Sequence, residues 1–398
     1  MTQSGLRLIT LQEAMNLFGV SRATIDRWRQ TKGLPYIKIG KEVFIDSVQL
    51  QGWVRGFTYE QSQPEPEKKE NGPVRVGVGY QSGTAHMWSA LLIKEAGFFE
   101  EELSRLFPGR HAEVDWYNGS SGIELVEGLI MGRIQIASLG DYPIQIAHKL
   151  SEMLPSFQSV LLAFDGKTSN GKGISIVVPP GCLIQRFEDL EEREIFTVPH
   201  SSASSRLERL LTAAGHKAAG RQIVAKPMRE SMERMMSCKA GACAMWEPYP
   251  SLLQDAGAGK ILFEEGIGED YLTGVVANKA WAAAHPAMTT AYLKAHLRAH
   301  QLIRAHVDKA VTLIHRSTGV PERTAAKVLQ RVRWDAAIYE RDLHTLHKLD
   351  APDADPKDRE TSPFHVETAY LQAAVKHVRL PAVPDAPIRG EWSSAAVY

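Results

Sequence analysis

Apolar positions follow two different rhythms along the chain. Between residues 8 and 55 they recur at short helical spacing: Leu11, Ala14, Met15 and Phe18, then Ile25 and Trp28. Thr10-Leu11-Gln12-Glu13 has the Ser/Thr-x-x-Glu spacing in which side chain and backbone cap each other at a helix start. Gly19 closes that helix, and Ser21 caps a second over Arg22–Gln30. Tyr36-Ile37-Lys38-Ile39 and Val43-Phe44-Ile45 flank a Gly40-Lys41 turn and predict a β-hairpin. Asp46-Ser47-Val48-Gln49 starts a last helix carrying Leu50, Trp53 and Val54. From Val74 to about residue 280 the rhythm changes, with β-rich apolar runs alternating with helical patterns; helical patterns dominate afterwards. This alternation predicts an α/β fold with a mostly parallel sheet. Gln61–Pro73 has no apolar residue to bury and reads as a tether, and the end from Pro381 reads as a mobile or docked tail.

The predicted strands share one habit. Val74–Tyr80 runs into Gln81-Ser82-Gly83-Thr84, and Ala112–Tyr117 into Asn118-Gly119-Ser120-Ser121-Gly122. Ile134–Leu139 ends at Gly140-Asp141-Tyr142-Pro143, and Ile195–Val198 leads to His200-Ser201-Ser202. In open α/β sheets such carboxyl-end loops border the ligand crevice. The helix N-termini behind them suit an anionic or carbonyl-bearing ligand.

Charge separates the two regions. The 398-residue chain is neutral overall, with 46 basic and 46 acidic side chains, yet residues 1–57 hold eight basic and four acidic ones. That stretch is +4, so the remainder is −4. Three cysteines, Cys182, Cys238 and Cys243, are too few for a disulfide framework and favour a reducing compartment. The first residues lack a charged segment followed by a long apolar stretch, so no signal peptide is read. No run approaches the ~20 apolar residues of a membrane span. These features lead to an expectation of a cytoplasmic protein without membrane insertion.

Two short helices, a tight turn and a hairpin make a winged helix-turn-helix. The layout resembles the excisionase/MerR-like family across residues 8–55, through Leu11-Gln12-Glu13-Ala14, Gly19–Trp28 and Leu34–Lys41. It implies contact with double-stranded DNA. Arg22, Thr24 and Arg27 would lie near base edges, Arg29 would project from the same helix, and Lys38 and Lys41 would sit near phosphates. One such module is weak alone, which implies a homodimer on paired half-sites.

The larger region is similar to periplasmic binding proteins of the nitrate/sulfonate/taurine class, a group that also contains thiamine-pyrimidine synthases and an aromatic sulfinate desulfinase. The residues behind this are Gly79-Tyr80-Gln81, Ala96–Glu100, Glu127–Ala137, Leu139–Pro143 and Gly241–Tyr249. The resemblance implies a two-lobed type II periplasmic-binding-protein-like fold over 74–348. Lobe 1 would be 74–165 and 272–348, and lobe 2 166–271, after a 1–57 DNA-binding domain and a 58–73 linker, with 349–398 as a C-terminal extension. The ligand, a small anionic solute, would meet Gln81, Ser82, Ser120, Ser121, Asp141, Tyr142, Ser201, Ser202, Trp246 and Glu247. Ser120 and Ser201 serve equally well as plain helix caps; Trp246 could pack as core, but Trp-Glu-Pro at a strand end favours the cleft. His86 and His200 lie beside these loops and could pair with an anion; as lone histidines they read as structural or exposed.

Enzyme and metal readings find little support. Cys238 and Cys243 do not form the cysteine-rich run of the pyrimidine synthases, and the loop after the first strand has Gln81-Ser82-Gly83 where a desulfinase needs a cysteine. His296 and His300 stand i,i+4, a metal-capable spacing, but no third ligand is visible, and the pair reads as a solvated helix face. No metal or cofactor is expected. The sequence therefore suggests a ligand-responsive DNA-binding transcriptional regulator. The alternative is a transport-type solute-binding protein, and a third reading is an enzyme on the same scaffold.

Overall fold

The computed structural model describes residues 8–18, 22–31, 33–39, 42–46, 74–154, 156–184, 187–190, 193–214, 223–237, 241–350 and 364–398. The tether, the helix expected after Asp46, Lys41 and Cys238 lie outside the described residues.

The first unit contains β1 (Leu8–Thr10), α1 (Leu11–Phe18), α2 (Arg22–Thr31), β2 (Ile37–Ile39) and β3 (Glu42–Asp46). The expected hairpin is present as β2 and β3. The apolar pattern gave no sign of β1, which pairs antiparallel with the far edge of β3. Ala14, Ile25, Trp28, Leu34 and Ile45 are buried, so each helix keeps its apolar stripe inward.

Next come β4 (Val74–Tyr80), α3 (Trp88–Ala96), α4 (Phe98–Leu106), β5 (Ala112–Asn118), α5 (Gly122–Ile130), β6 (Ile136–Gly140), α6 (Asp141–Met153) and β7 (Ser159–Thr168). The chain then builds β8 (Ile174–Val178), β9 (Ile195–Thr197), α7 (Ser202–Ala213), β10 (Ile223–Ala225), α8 (Met228–Met236), β11 (Ala242–Trp246), α9 (Tyr249–Asp255) and β12 (Lys260–Leu262). It returns through β13 (Tyr271–Asn278), α10 (Lys279–Ala284), α11 (Pro286–Ala305), α12 (Val307–Thr318), α13 (Glu322–Arg331), β14 (Arg333–Trp334), α14 (Glu340–Asp350) and α15 (Ala369–Val378).

These strands make two sheets, one for each lobe. The first has the order β14-β7-β13-β6-β4-β5 and the second β10-β9-β11-β8-β12. Pairing is parallel for β4 with β5 and β6, and for β9 with β10 and β11; the returning strands β13, β8 and β12 are antiparallel. Every position of β7 is buried, including Asp165 and Lys167, because the sheet is covered on both faces. Two crossings join the lobes, residues 169–173 and 263–270. They touch closely: a β-carbon on Gly173 would strike the His86 ring, and one on Gly266 the Asn170 carbonyl. Gly173 and Gly266 also have φ of 95° and 114°, which a side chain would strain.

Helix α1 packs against α6, and the apolar residues of the first unit belong to one continuous core with Ile144, Ile146 and Leu150. Helix α6 is consequently buried almost around its circumference. On α11, His296 and His300 are fully buried, because that helix lies between the first sheet and α4, α12 and α15. The expected solvated face is corrected: a helix enclosed on several sides has no solvent stripe. The tail is docked, with Tyr398 only 1% exposed and its hydroxyl donating to the Ala382 carbonyl at 2.8 Å.

Candidate functional site

The carboxyl ends of β4, β6, β9 and β11 face one another across the lobes. Three helices start there. Ser121 caps α5, its Oγ accepting from the Glu124 N–H at 3.2 Å. Gly140 is the N-cap of α6. Ser201 caps α7 in a reciprocal box with Ser204: its Oγ accepts the Ser204 N–H at 3.1 Å, and its own N–H donates to Ser204 Oγ at 2.9 Å. All three caps line one crevice with Gln81, Thr84, Gly122, His200, Ser202, Trp246 and Tyr271. Among the described residues no carboxylate lines it; Asp141, the first residue of α6, accepts the Tyr142 N–H at 2.7 Å but is paired with Arg206, so the helix starts leave the crevice with partial positive charge. Its volume is about 20 Å³. That is room for roughly one water, so the lobes must separate to admit a solute.

Several contacts hold the lobes together. Arg206 on α7 reaches Asp141 at the start of α6, Nη2 to Oδ2 at 2.6 Å and Nη1 to Oδ1 at 3.3 Å. Both side chains are buried, at 2% and 0% exposure. Arg206 also donates to the Asp270 carbonyl at 2.6 Å and the Ser202 carbonyl at 3.2 Å. Trp246 Nε1 donates to the Gly83 carbonyl at 3.0 Å, and the Tyr142 N–H approaches Ser202 Oγ at 3.5 Å. His200, at the rim, holds a φ of 53°, an unusual backbone for a residue with a side chain.

Of the residues expected at the ligand, the crevice gathers Gln81, Ser121, Ser201, Ser202 and Trp246. The others are placed differently. Asp141 is spent on Arg206. Ser82 is tied to Asn118 by two hydrogen bonds, and Ser120 donates its N–H and hydroxyl to Glu124. Tyr142 is half-buried beside the crevice, its hydroxyl pushed up to about 12 by burial and by the nearby Glu208 carboxylate. Glu247 turns away, accepting from the Ser251 N–H and hydroxyl, and lines a separate cavity of about 560 Å³ behind the crossings. Burial raises its carboxyl above the ordinary range. Arg206 is the residue that sequence reading missed; its signal was a single cation one turn into a serine-rich helix start.

His86 lies behind the crevice, fully buried, with Nε2 3.1 Å from Thr168 Oγ1. Burial, then the Arg206 charge, pulls its imidazole down to about 3. Below the unfolded value of ~6.5, the unfolded chain takes up a proton that the folded one refuses. The resulting stability is complete above pH ~6.5 and drains as pH falls toward 3, at about 1.4 kcal/mol per unit. Urea midpoints at pH 7 and pH 5 are expected to differ less in His86→Gln than in the parent; an unchanged difference would contradict the assignment.

On the first unit, Arg22 and Arg27 are exposed on α2, and Lys38 is exposed on the wing. Arg29 departs from expectation. It is half-buried, bonds Asp26 at 2.8 Å and lies 3.9 Å over the Tyr36 ring. Thr24 falls within α2, and its side chain lies outside the described part of the chain. Cys243 is buried, its thiol pushed up to about 12 by burial, which leaves it unreactive.

Residues 8–57 match the family model described as "Helix-turn-helix domain". The chain is 23% identical over 264 residues to a putative aliphatic sulfonates-binding protein of Escherichia coli (strain K12), spanning 65% of this chain and 76% of that protein. It is similar in fold to the alkanesulfonate-binding protein SsuA from Xanthomonas axonopodis pv. citri bound to MOPS. The identity is 17% and the TM-score 0.58, covering 75% of this chain and 99% of that one. The periplasmic nitrate-binding protein NrtA from Synechocystis PCC 6803 gives 14% identity and a TM-score of 0.57, covering 80% and 92%. The chain thus joins a helix-turn-helix domain to a periplasmic-binding-protein-like body. These relatives carry the names of binding proteins. The cytoplasmic expectation is overturned by the solved structures the chain resembles, several of which are named as periplasmic binding proteins.

Proposed function

We propose that this chain is a solute-binding protein for a small oxyanion of the sulfonate type. The observation that carries this reading is the meeting of three helix N-termini in one crevice without a lining carboxylate. Backbone N–H groups there match the oxygens of a tetrahedral or trigonal anion, and Ser121, Ser202 and Trp246 would surround it. The names of the relatives support a sulfonate, and the need for the lobes to open supports capture by closure. Titration of the full chain with ethanesulfonate, taurine and nitrate, followed by tryptophan fluorescence, is expected to saturate. Choline is expected to do nothing. Failure of every anion to bind would reject the reading.

A second role, ligand-dependent DNA contact by a pair of chains, is favoured by one observation. Helix α1 docks on α6 while Arg22 and Arg27 on α2 stay exposed. Helix α6 begins in the crevice, so movement of the lobes would carry the first unit with it. Gel shifts with the native upstream DNA, with and without ethanesulfonate, test this. Lys38→Ala is expected to weaken binding and, as a phosphate contact on the exposed wing, to lower the salt slope by ~1. No shift under either condition would remove the DNA role and leave solute capture standing.

A further inference from the structure

We propose that Asp165, His296 and His300 form a site for a divalent transition-metal ion of the zinc type inside the first lobe. The sequence shows two histidines one helical turn apart and no third ligand. The fold supplies it: β7 brings Asp165 beneath α11, and one donor atom from each of the three lies within 4.8 Å of the others. All three side chains have zero exposure. Two imidazoles and a carboxylate are a donor set that zinc takes readily.

The hydrogen bonds favour a missing cation. His296 Nε2 lies 3.0 Å from the Phe164 carbonyl, so that nitrogen carries the proton and Nδ1 is left with a lone pair. No partner among the described residues meets Nδ1, though it is buried. His300 faces the Tyr398 carbonyl with Nδ1, at 3.4 Å, and Asp165 Oδ1 with Nε2, at 2.9 Å. With Asp165 ionised both neighbours are acceptors, so a neutral ring can donate to only one of them; a cation shared by Nε2 and Asp165 leaves Nδ1–H to donate to the Tyr398 carbonyl.

Asp165 presents the same problem from the other side. Its carboxylate accepts from Ser89 Oγ at 2.5 Å and meets no Lys or Arg in an ion pair among the described residues. A carboxylate buried without a countercharge is costly. A metal ion would supply the charge. Phe164, Tyr398 and Ser89 would then act as the outer groups that fix ring tautomers and carboxylate orientation. The ligands would have to close onto bonds of about 2.0–2.2 Å.

The full chain, unfolded in EDTA and refolded with zinc chloride, then dialysed, is expected to retain about one zinc per chain and to melt higher than the same protein refolded without metal. X-ray absorption at the zinc edge should show two imidazole ligands. His296→Gln, checked for folding by circular dichroism, should lose most of the zinc and the melting difference. Parent protein that retains no zinc, or that melts identically with and without it, overturns the site. So does retention undiminished in the folded variant. If the variant does not fold, the parent's metal content, melting difference and absorption spectrum decide the question alone. Anion binding in the crevice is a separate readout, so failure here and failure of the solute reading are distinguishable.

Discussion

Arg206→Met is expected to lower unfolding stability by about 3–5 kcal/mol and to weaken capture of the anion. The guanidinium is buried, forks onto the Asp141 carboxylate and donates to carbonyls of the second crossing. Removing it strands a fully buried carboxylate at the N-terminus of α6. Lysine cannot repair this, since one ammonium does not reproduce the planar fork, so Arg206→Lys should lie much nearer to methionine than to the parent. Because Asp141 belongs to the first lobe and Arg206 to the second, the pair also contributes to the closed arrangement. The checks are urea denaturation and a titration with ethanesulfonate on the same preparations. A methionine variant within about 0.5 kcal/mol of the parent would show that the pair does not carry the lobe contact.

That pair marks the boundary of what the sequence makes legible. Local patterns read well. The start signal at Thr10, the inward Ile25 and Trp28, and the serine cap at Ser201 are each set by residues within a few positions of one another, while the cap expected at Ser120 falls one residue on, at Ser121. Partnerships between distant segments do not read. Asp141 looks like a ligand group because it stands in a crevice loop; its partner is 65 residues away and on another lobe. Glu247 misleads for the same reason: the turn after β11 sends its carboxylate to Ser251 and the rear cavity. The pair His296 and His300 looks like a polar face because helical spacing shows which residues share a side, not what covers that side. Arg29 illustrates a smaller version, its guanidinium drawn onto Tyr36 and Asp26. In each case the missing information is tertiary, and the burial of a polar group is the clue that a distant partner exists.

Lys167 supplies the second large effect, and here the test can separate a pair from its surroundings. It sits on β7 just before the first crossing, with no exposure, and donates to the Ala337 carbonyl at 2.7 Å and to Asp342 Oδ2. Asp342 also receives the Tyr339 N–H at 3.0 Å and Trp392 Nε1 at 2.7 Å, so one carboxylate fastens α14 and the 364–398 segment to the sheet. Lys167→Met is expected to cost about 3–5 kcal/mol, because Asp342 keeps its charge and loses its countercharge. Asp342→Leu should cost a similar amount by stranding the ammonium. The double variant should recover a large part of the loss, since exchanging both charges for apolar groups of similar volume removes the desolvation penalty along with the attraction. Urea midpoints of the four proteins form the cycle. Losses that simply add in the double variant would mean that the two side chains act separately, and that the anchoring of α14 depends on packing around Trp392 rather than on the buried charges.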